Sequence, residues 1–124
     1  MVLGFKQQFP HKICKEEKIH TLREDKNDRW HSGCIIHFAT GVRTKLYRCF
    51  KLGVCIGTQR IEIRYHGDET FGTTIIVEID GRRLGWNEID TLAKNDGFDT
   101  TKDFLAWFKR DFFGKIIHWT NLKY

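Results

Sequence analysis

Proline is almost absent from this sequence, one in 124 residues, and the eleven glycines are scattered. Together these exclude a collagen-like or low-complexity architecture. No apolar run approaches the roughly 20 residues that a membrane-crossing helix needs, and the mean hydropathy is −0.47. The first residues, Met1-Val2-Leu3-Gly4-Phe5-Lys6-Gln7-Gln8, hold no long apolar stretch, so no signal peptide is expected. Cys14, Cys34, Cys49 and Cys55 form no Cys-x-x-Cys pair, which removes the usual starting point of a structural zinc site. With no secretory signal, all four are expected as reduced thiols of a cytoplasmic protein. Cys34, Cys49 and Cys55 lie in apolar segments, where a free cysteine acts as a small hydrophobe. The six histidines are dispersed as well, and neither a metal nor another cofactor is expected.

What is present can fill a core. The chain is 40% hydrophobic and 14% aromatic, with ten Phe and four Trp. A domain of this length buries roughly two-thirds of the surface its unfolded chain exposes, so residues 1–124 are expected to form one soluble domain. Disorder is unexpected, because aromatic-poor composition is what keeps a chain unfolded. Twenty-one Lys and Arg against sixteen Asp and Glu give a net charge of +5, with a pI near 9.1. Such a balance suits a nucleic-acid partner, and it also suits plain solubility.

The hydrophobic pattern is mixed, with more strand than helix. A short helix is expected over 9–17, with Pro10 in its first turn, where the missing N–H costs little. Lys18–Arg23 alternates like a strand, and the charged stretch Glu24–Ser32 reads as an exposed loop closed by Gly33. Cys34–Ala39 is a strand candidate, followed by a turn at Thr40-Gly41. Lys45–Tyr65 is a long run of strand formers interrupted by Gly53 and Gly57, where a bend would let one ribbon curl round a small barrel. His66-Gly67-Asp68-Glu69 is expected as a connection and Thr73–Ile79 as a strand. Asp80-Gly81 carries a type I′ hairpin signal. Helices are expected over Asn87–Ala93, capped by Asn87, and over Thr100–Phe113, capped by Thr100. The second has an apolar stripe of Phe104, Leu105, Phe108 and Phe112. Lys115–Thr120 is the expected closing strand.

Chemistry concentrates in Lys18-Ile19-His20-Thr21-Leu22-Arg23. On a regular strand His20 shares a face with Lys18 and Leu22, and Thr21 shares the other with Arg23. Lys18 and Thr21 therefore meet only if the chain turns at Lys18. A lysine desolvated in a pocket loses basicity and can then activate a hydroxyl. The plain alternative is a charged, exposed edge strand. Trp30, between Arg29 and His31, suits either a stacking platform or a loop anchor. Trp107 is expected in the core, with Trp86 and Trp119 packed near the hairpin and the closing strand. Arg82-Arg83 reads as a solvated turn, and Asp96-Gly97 as a helix stop with Gly97 at positive φ.

Lys18-x-x-Thr21-x-Arg23 resembles the signature of the ASCH domain family, a branch of the PUA-like superfamily. Further likeness lies in Arg29-Trp30-His31-Ser32-Gly33-Cys34-Ile35-Ile36-His37, a loop with Trp and then Gly leading into a strand. It continues in Ala93-Lys94-Asn95-Asp96-Gly97-Phe98, followed by the aromatic segment Phe104-Leu105-Ala106-Trp107-Phe108 and the closing strand. The order is that of the family over most of the chain. Glu16 stands where the family has Gly before the lysine.

The resemblance implies an α+β fold, a PUA-like small curled β-barrel of five or six strands with two or three packed helices. It implies an RNA- or nucleotide-binding module whose basic cleft recognises a nucleobase or nucleotide. Arg23, Lys26, Arg29 and Arg43 would then contact phosphate, and Trp30 or Tyr47 would stack on a base. One branch of the family hydrolyses the amide of N4-acetylcytidine with a lysine, a threonine and a glutamate. Those roles fall on Lys18, Thr21 and Asp96, the acid being one methylene shorter here. A third possibility is a protein-binding accessory domain, marked by an apolar surface around Trp30.

Overall fold

A computed structural model describes residues 1–68, 70 and 72–124. In chain order the elements are β1 (Val2–Gly4), α1 (Pro10–Cys14), β2 (His20–Arg23), β3 (Ile35–Thr40), β4 (Arg48–Val54) and β5 (Gly57–Asp68). They continue with β6 (Gly72–Ile79), β7 (Arg82–Arg83), α2 (Trp86–Asn95), α3 (Thr101–Trp107) and β8 (Phe112–His118). The fold is mixed α and β, its strands arranged among the described residues in two sheets. One runs β1-β3-β4, the other β2-β8-β5-β6-β7. β1 joins β3 in parallel, whereas every other pairing is antiparallel. Among the described residues no helix is long and apolar enough to cross a membrane.

The long ribbon expected over Lys45–Tyr65 changes sheets at Cys55-Ile56. Two consecutive amides divide there: the Cys55 N–H donates to the Cys34 carbonyl, and the Ile56 N–H to the His118 carbonyl, both at 2.8 Å. Gly57 follows, and a Cβ there would meet only the flexible end of the Lys123 side chain. At the opposite seam β1 and β2, each the edge of its sheet, are linked by a side chain. The Arg23 Nη2 donates to the Gly4 carbonyl at 2.6 Å. Strands of both sheets and the helices α2 and α3 contribute to one buried apolar cluster that includes Phe38, Ile61, Ile63, Val77, Leu92, Phe104, Ile116 and Ile117.

Several boundaries differ from those expected. The first helix stops at Cys14 because Glu16 takes a φ of 61°. The Glu16 N–H then donates to the Ile13 carbonyl and the Glu17 N–H to the Lys12 carbonyl, a Schellman closure with glutamate where glycine is usual. The expected connection at 66–69 is instead strand through Asp68; its last residue, Glu69, lies outside the described residues. Asp80 and Gly81 do have positive φ, 50° and 82°, and join β6 to β7. α2 starts earlier than expected: Gly85 precedes it, the Glu88 Oε1 accepts the Gly85 N–H at 3.2 Å, and Asn87 lies inside the helix. Thr100 caps α3 by accepting the Asp103 N–H at 3.1 Å.

α3 ends at Trp107 rather than Phe113, with Phe108 leaving helical geometry at a ψ of 62°, and the carbonyls of its end are bonded from outside. The Tyr65 hydroxyl donates to the Phe108 carbonyl and lies 3.3 Å from that of Leu105. The Asp111 carboxylate accepts the Tyr65 N–H at 2.9 Å. Phe112 then opens β8 opposite Ile63. The Phe104–Phe108–Phe112 stripe survives as ring contacts at 5.1 and 5.0 Å, although helix supplies only its first member.

Candidate functional site

Two helix ends build the site. At the C-terminus of α2 the Gly97 N–H donates to the Lys94 carbonyl and the Phe98 N–H to the Ala93 carbonyl. This second Schellman closure, with Gly97 at a φ of 92°, fixes Asp96 as the last helical cap. α1 and the segment leaving it then satisfy three successive carbonyls at that end. The Ile19 N–H donates to Asn95 at 2.9 Å, the Lys18 Nζ to Asp96 at 2.6 Å and the Lys12 Nζ to Gly97 at 2.7 Å. Two ammonium groups at a helix C-terminus also complement its partial negative charge.

Lys18 and Asp96, 78 positions apart, thus meet inside the protein. The Lys18 Nζ also donates to the Asp96 Oδ1 at 3.2 Å, and both side chains are buried, at 2% and 3% exposure. Burial lowers the Lys18 pKa, and the nearby Arg23 and Lys12 add to that, against the opposing pull of Asp96. The ammonium stands 4.8 Å over the Phe9 ring and 5.8 Å from that of Phe5.

Behind this pair runs a hydrogen-bond chain. His20 Nδ1 is 3.1 Å from the Asp96 Oδ1, His20 Nε2 is 2.5 Å from the Tyr124 hydroxyl, and the Asn95 Nδ2 donates to that hydroxyl at 3.0 Å. Burial keeps His20 neutral by lowering its pKa, and it raises that of Tyr124. One assignment satisfies every member: Asn95 donates to Tyr124, Tyr124 to His20 Nε2, and His20 Nδ1–H to Asp96. The neighbouring His118 accepts no hydrogen bond at Nδ1, and burial lowers its pKa to about 3.

Lys18 and Asp96 open onto a cavity of about 550 Å³ at the seam between β1 and β2, within the usual range for small-molecule sites. Phe5, Phe9, Phe98, Trp107 and Phe108 form apolar wall, and the buried Lys18, Thr21 and Asp96 with the half-buried Arg23 supply its polar groups. The Arg23 Nε lies 3.4 Å from the Thr21 Oγ1, and its guanidinium carbon stands 5.1 Å over the Phe5 ring. Because Lys18 precedes β2 rather than belonging to it, Lys18 and Thr21 line the same hollow despite their odd spacing.

The other sequence candidates lie elsewhere. Lys26, Arg29 and Trp30 surround a separate polar hollow with Glu24 and Asp25. Trp30 is an anchor, 8% exposed, its N–H donating to the Asp25 carboxylate. Arg43 and Tyr47 are exposed on the β3–β4 turn, of which Gly41, Val42 and Thr44 reach the cavity. Trp107, expected in the core, is 45% exposed, and Trp86 is exposed at 59%, whereas Trp119 packs on Phe38. His20, Tyr124 and the aromatic walls were not singled out by sequence; only the alternation of Lys18 with His20 pointed to one of them. Among the described residues no group of three His, Cys, Asp or Glu side chains is placed to hold a metal, and all four cysteines are free.

Compared with known proteins, the chain matches no family model, no curated protein and no solved structure.

Proposed function

We propose that this chain is an ASCH-type, PUA-like module whose cavity takes a nucleobase or nucleotide. The observation that carries the proposal is the convergence of Lys18, Thr21, Arg23 and Asp96 on one aromatic-walled hollow. Flat apolar walls suit the faces of a base, and a few buried donors and acceptors suit its edge. The curled PUA-like barrel is supported by the stitched corner at Cys55-Ile56 and the facing edges of β1 and β2. The departure at Glu16 is accommodated by its backbone, which takes the positive φ that glycine adopts freely.

A thermal-shift screen of nucleosides and nucleotides tests the proposal, since a site-specific ligand raises the melting point by mass action. At least one base-containing ligand is expected to do so, with the shift reduced in Thr21→Val. Shifts from none of them would end it.

A second reading, hydrolysis of an N4-acetylcytidine-like amide, is favoured by the lowered Lys18 pKa. Neutral Lys18 would take the proton of Thr21 or of water, and the oxygen would attack the acetyl carbonyl. Arg23 would face the resulting oxyanion, and collapse would break the C–N bond as the proton passes to the leaving nitrogen. Where Thr21 is the nucleophile, water then cleaves the acetyl ester to restore the hydroxyl and release acetate. Acetate release from N4-acetylcytidine, abolished in Lys18→Met, is the expected sign; no release by the intact protein removes this alternative.

A further inference from the structure

We propose that the β3–β4 hairpin and the hollow behind it carry the backbone of a single-stranded polynucleotide whose base sits in the cavity. The ligand is then a strand rather than a free nucleoside. This rests on the nucleobase reading of the cavity and adds where the chain on either side of that base runs.

The first observation is a charge imbalance along the sequence. From 29 to 61 there are six cations, Arg29, Arg43, Lys45, Arg48, Lys51 and Arg60, and no Asp or Glu. The second is that the imbalance persists in space. Several cations elsewhere are paired: Arg64 with Glu62 and Glu78, Arg82 with Glu88, Lys115 with Asp25 and Asp28, Lys12 with Asp99. Arg43, Lys45 and Arg48 are exposed and make no ion pair with any described carboxylate. Three exposed cations without an ion-pair partner among the described residues therefore sit together on this hairpin, within a stretch that supplies no carboxylate of its own.

Its position supplies the third observation. The hairpin turn forms part of the cavity wall through Gly41, Val42 and Thr44. A second hollow of about 340 Å³, bordered by Gln7, His11, Thr40, Arg48 and Phe50, shares Gln7 with the cavity and has no acidic residue in its lining. Among the described residues the only carboxylate lining the cavity is Asp96, already engaged by Lys18. A strand leaving the cavity past Gln7 meets Arg48 and Phe50, with Arg43, Lys45 and the exposed Tyr47 alongside. Cations that track a backbone, interleaved with aromatic faces, are what single-strand binding requires.

The test is fluorescence anisotropy with a labelled single-stranded RNA of about ten nucleotides, and DNA of the same sequence, across a salt series. The proteins are wild type, Arg43→Gln/Lys45→Gln/Arg48→Gln, and the cavity variant Thr21→Val. Removing three phosphate contacts is expected to flatten the log–log salt slope by about 2 and to weaken strand binding roughly tenfold. Thermal shifts with the four common nucleosides and N4-acetylcytidine should be the same in the hairpin variant as in wild type. Equal affinity for RNA and DNA supports backbone contact without use of the 2′-hydroxyl. Strand binding lost in the hairpin variant but intact in Thr21→Val keeps the hairpin's role and ends that of the cavity. Unchanged affinity and slope in the hairpin variant overturn the proposal, as does wild-type binding to phosphatidylserine vesicles with none to either strand.

Discussion

Gly97 lies against the side chain of Lys18: a Cβ on Gly97 would stand 3.0 Å from Lys18 Cδ and 3.1 Å from its Cβ. The glycine thus closes α2, with a φ of 92°, and leaves room for the lysine stem beneath Asp96. Gly97→Ala combines an unfavourable backbone with a crowded contact, and the expected loss is about 1–3 kcal/mol. Urea unfolding measures it, and a loss below the error of that measurement would contradict the packing.

Lys18 and Asp96 stabilise the fold only as a pair. Removing one leaves the other buried without its opposite charge, which typically costs about 3–5 kcal/mol, whereas removing both costs less than the sum. Lys18→Met, Asp96→Asn and the double variant are therefore expected to show strong coupling in a double-mutant cycle. Additive losses would mean that the two charges do not sense each other.

The histidines set the pH dependence. His118 has its pKa lowered from 6.5 to about 3, and burial lowers that of His20 as well. Below pH 6.5 the unfolded chain takes up protons that the folded chain refuses, so stability falls on acidification. The slope approaches about 1.4 kcal/mol per pH unit for each histidine. For His118 the loss runs from pH 6.5 down to about 3. Unfolding free energies measured over that window should decline, and less steeply in His118→Gln; a flat profile contradicts neutral buried rings.

Much of the strand pattern was legible because alternation and the Asp80-Gly81 turn are local signals. The ends of α1 and α3 were not. A glutamate at positive φ ends the first, and the hydroxyl of Tyr65, more than forty positions away, bonds the end of the third. Neither leaves a mark in a hydrophobic period. The meeting of Lys18, Thr21 and Asp96 was suggested by family resemblance, since spacing alone placed Lys18 and Thr21 on opposite faces. The Tyr124–His20 link joins residues 104 positions apart, beyond the reach of any local pattern.

That link is itself testable. Tyr124→Phe removes the hydroxyl between His20 Nε2 and Asn95 Nδ2, leaving both without that partner. The expected cost is about 1–3 kcal/mol. His20→Asn in the Tyr124→Phe background should then cost less than in wild type; equal costs would show that the two side chains act separately.

Trp107 offers an optical readout of the cavity. It forms part of the wall, its ring lies 5.5 Å from that of Phe9 and 5.6 Å from that of Phe98, and nearly half of it is exposed. A base stacking on this wall would change the indole's surroundings, while Trp30 stays enclosed and Trp86, on α2, lies outside the cavity lining. Titration with a bound nucleoside should therefore change tryptophan fluorescence, and Trp107→Leu should abolish most of the change. The same variant should weaken binding by about 1–3 kcal/mol, the usual worth of one stacked base. Because the ring is half-exposed, folding stability should fall far less than for a core tryptophan, whose loss costs about 3–5 kcal/mol. A ligand that binds Trp107→Leu as tightly as wild type does not rest on this aromatic wall.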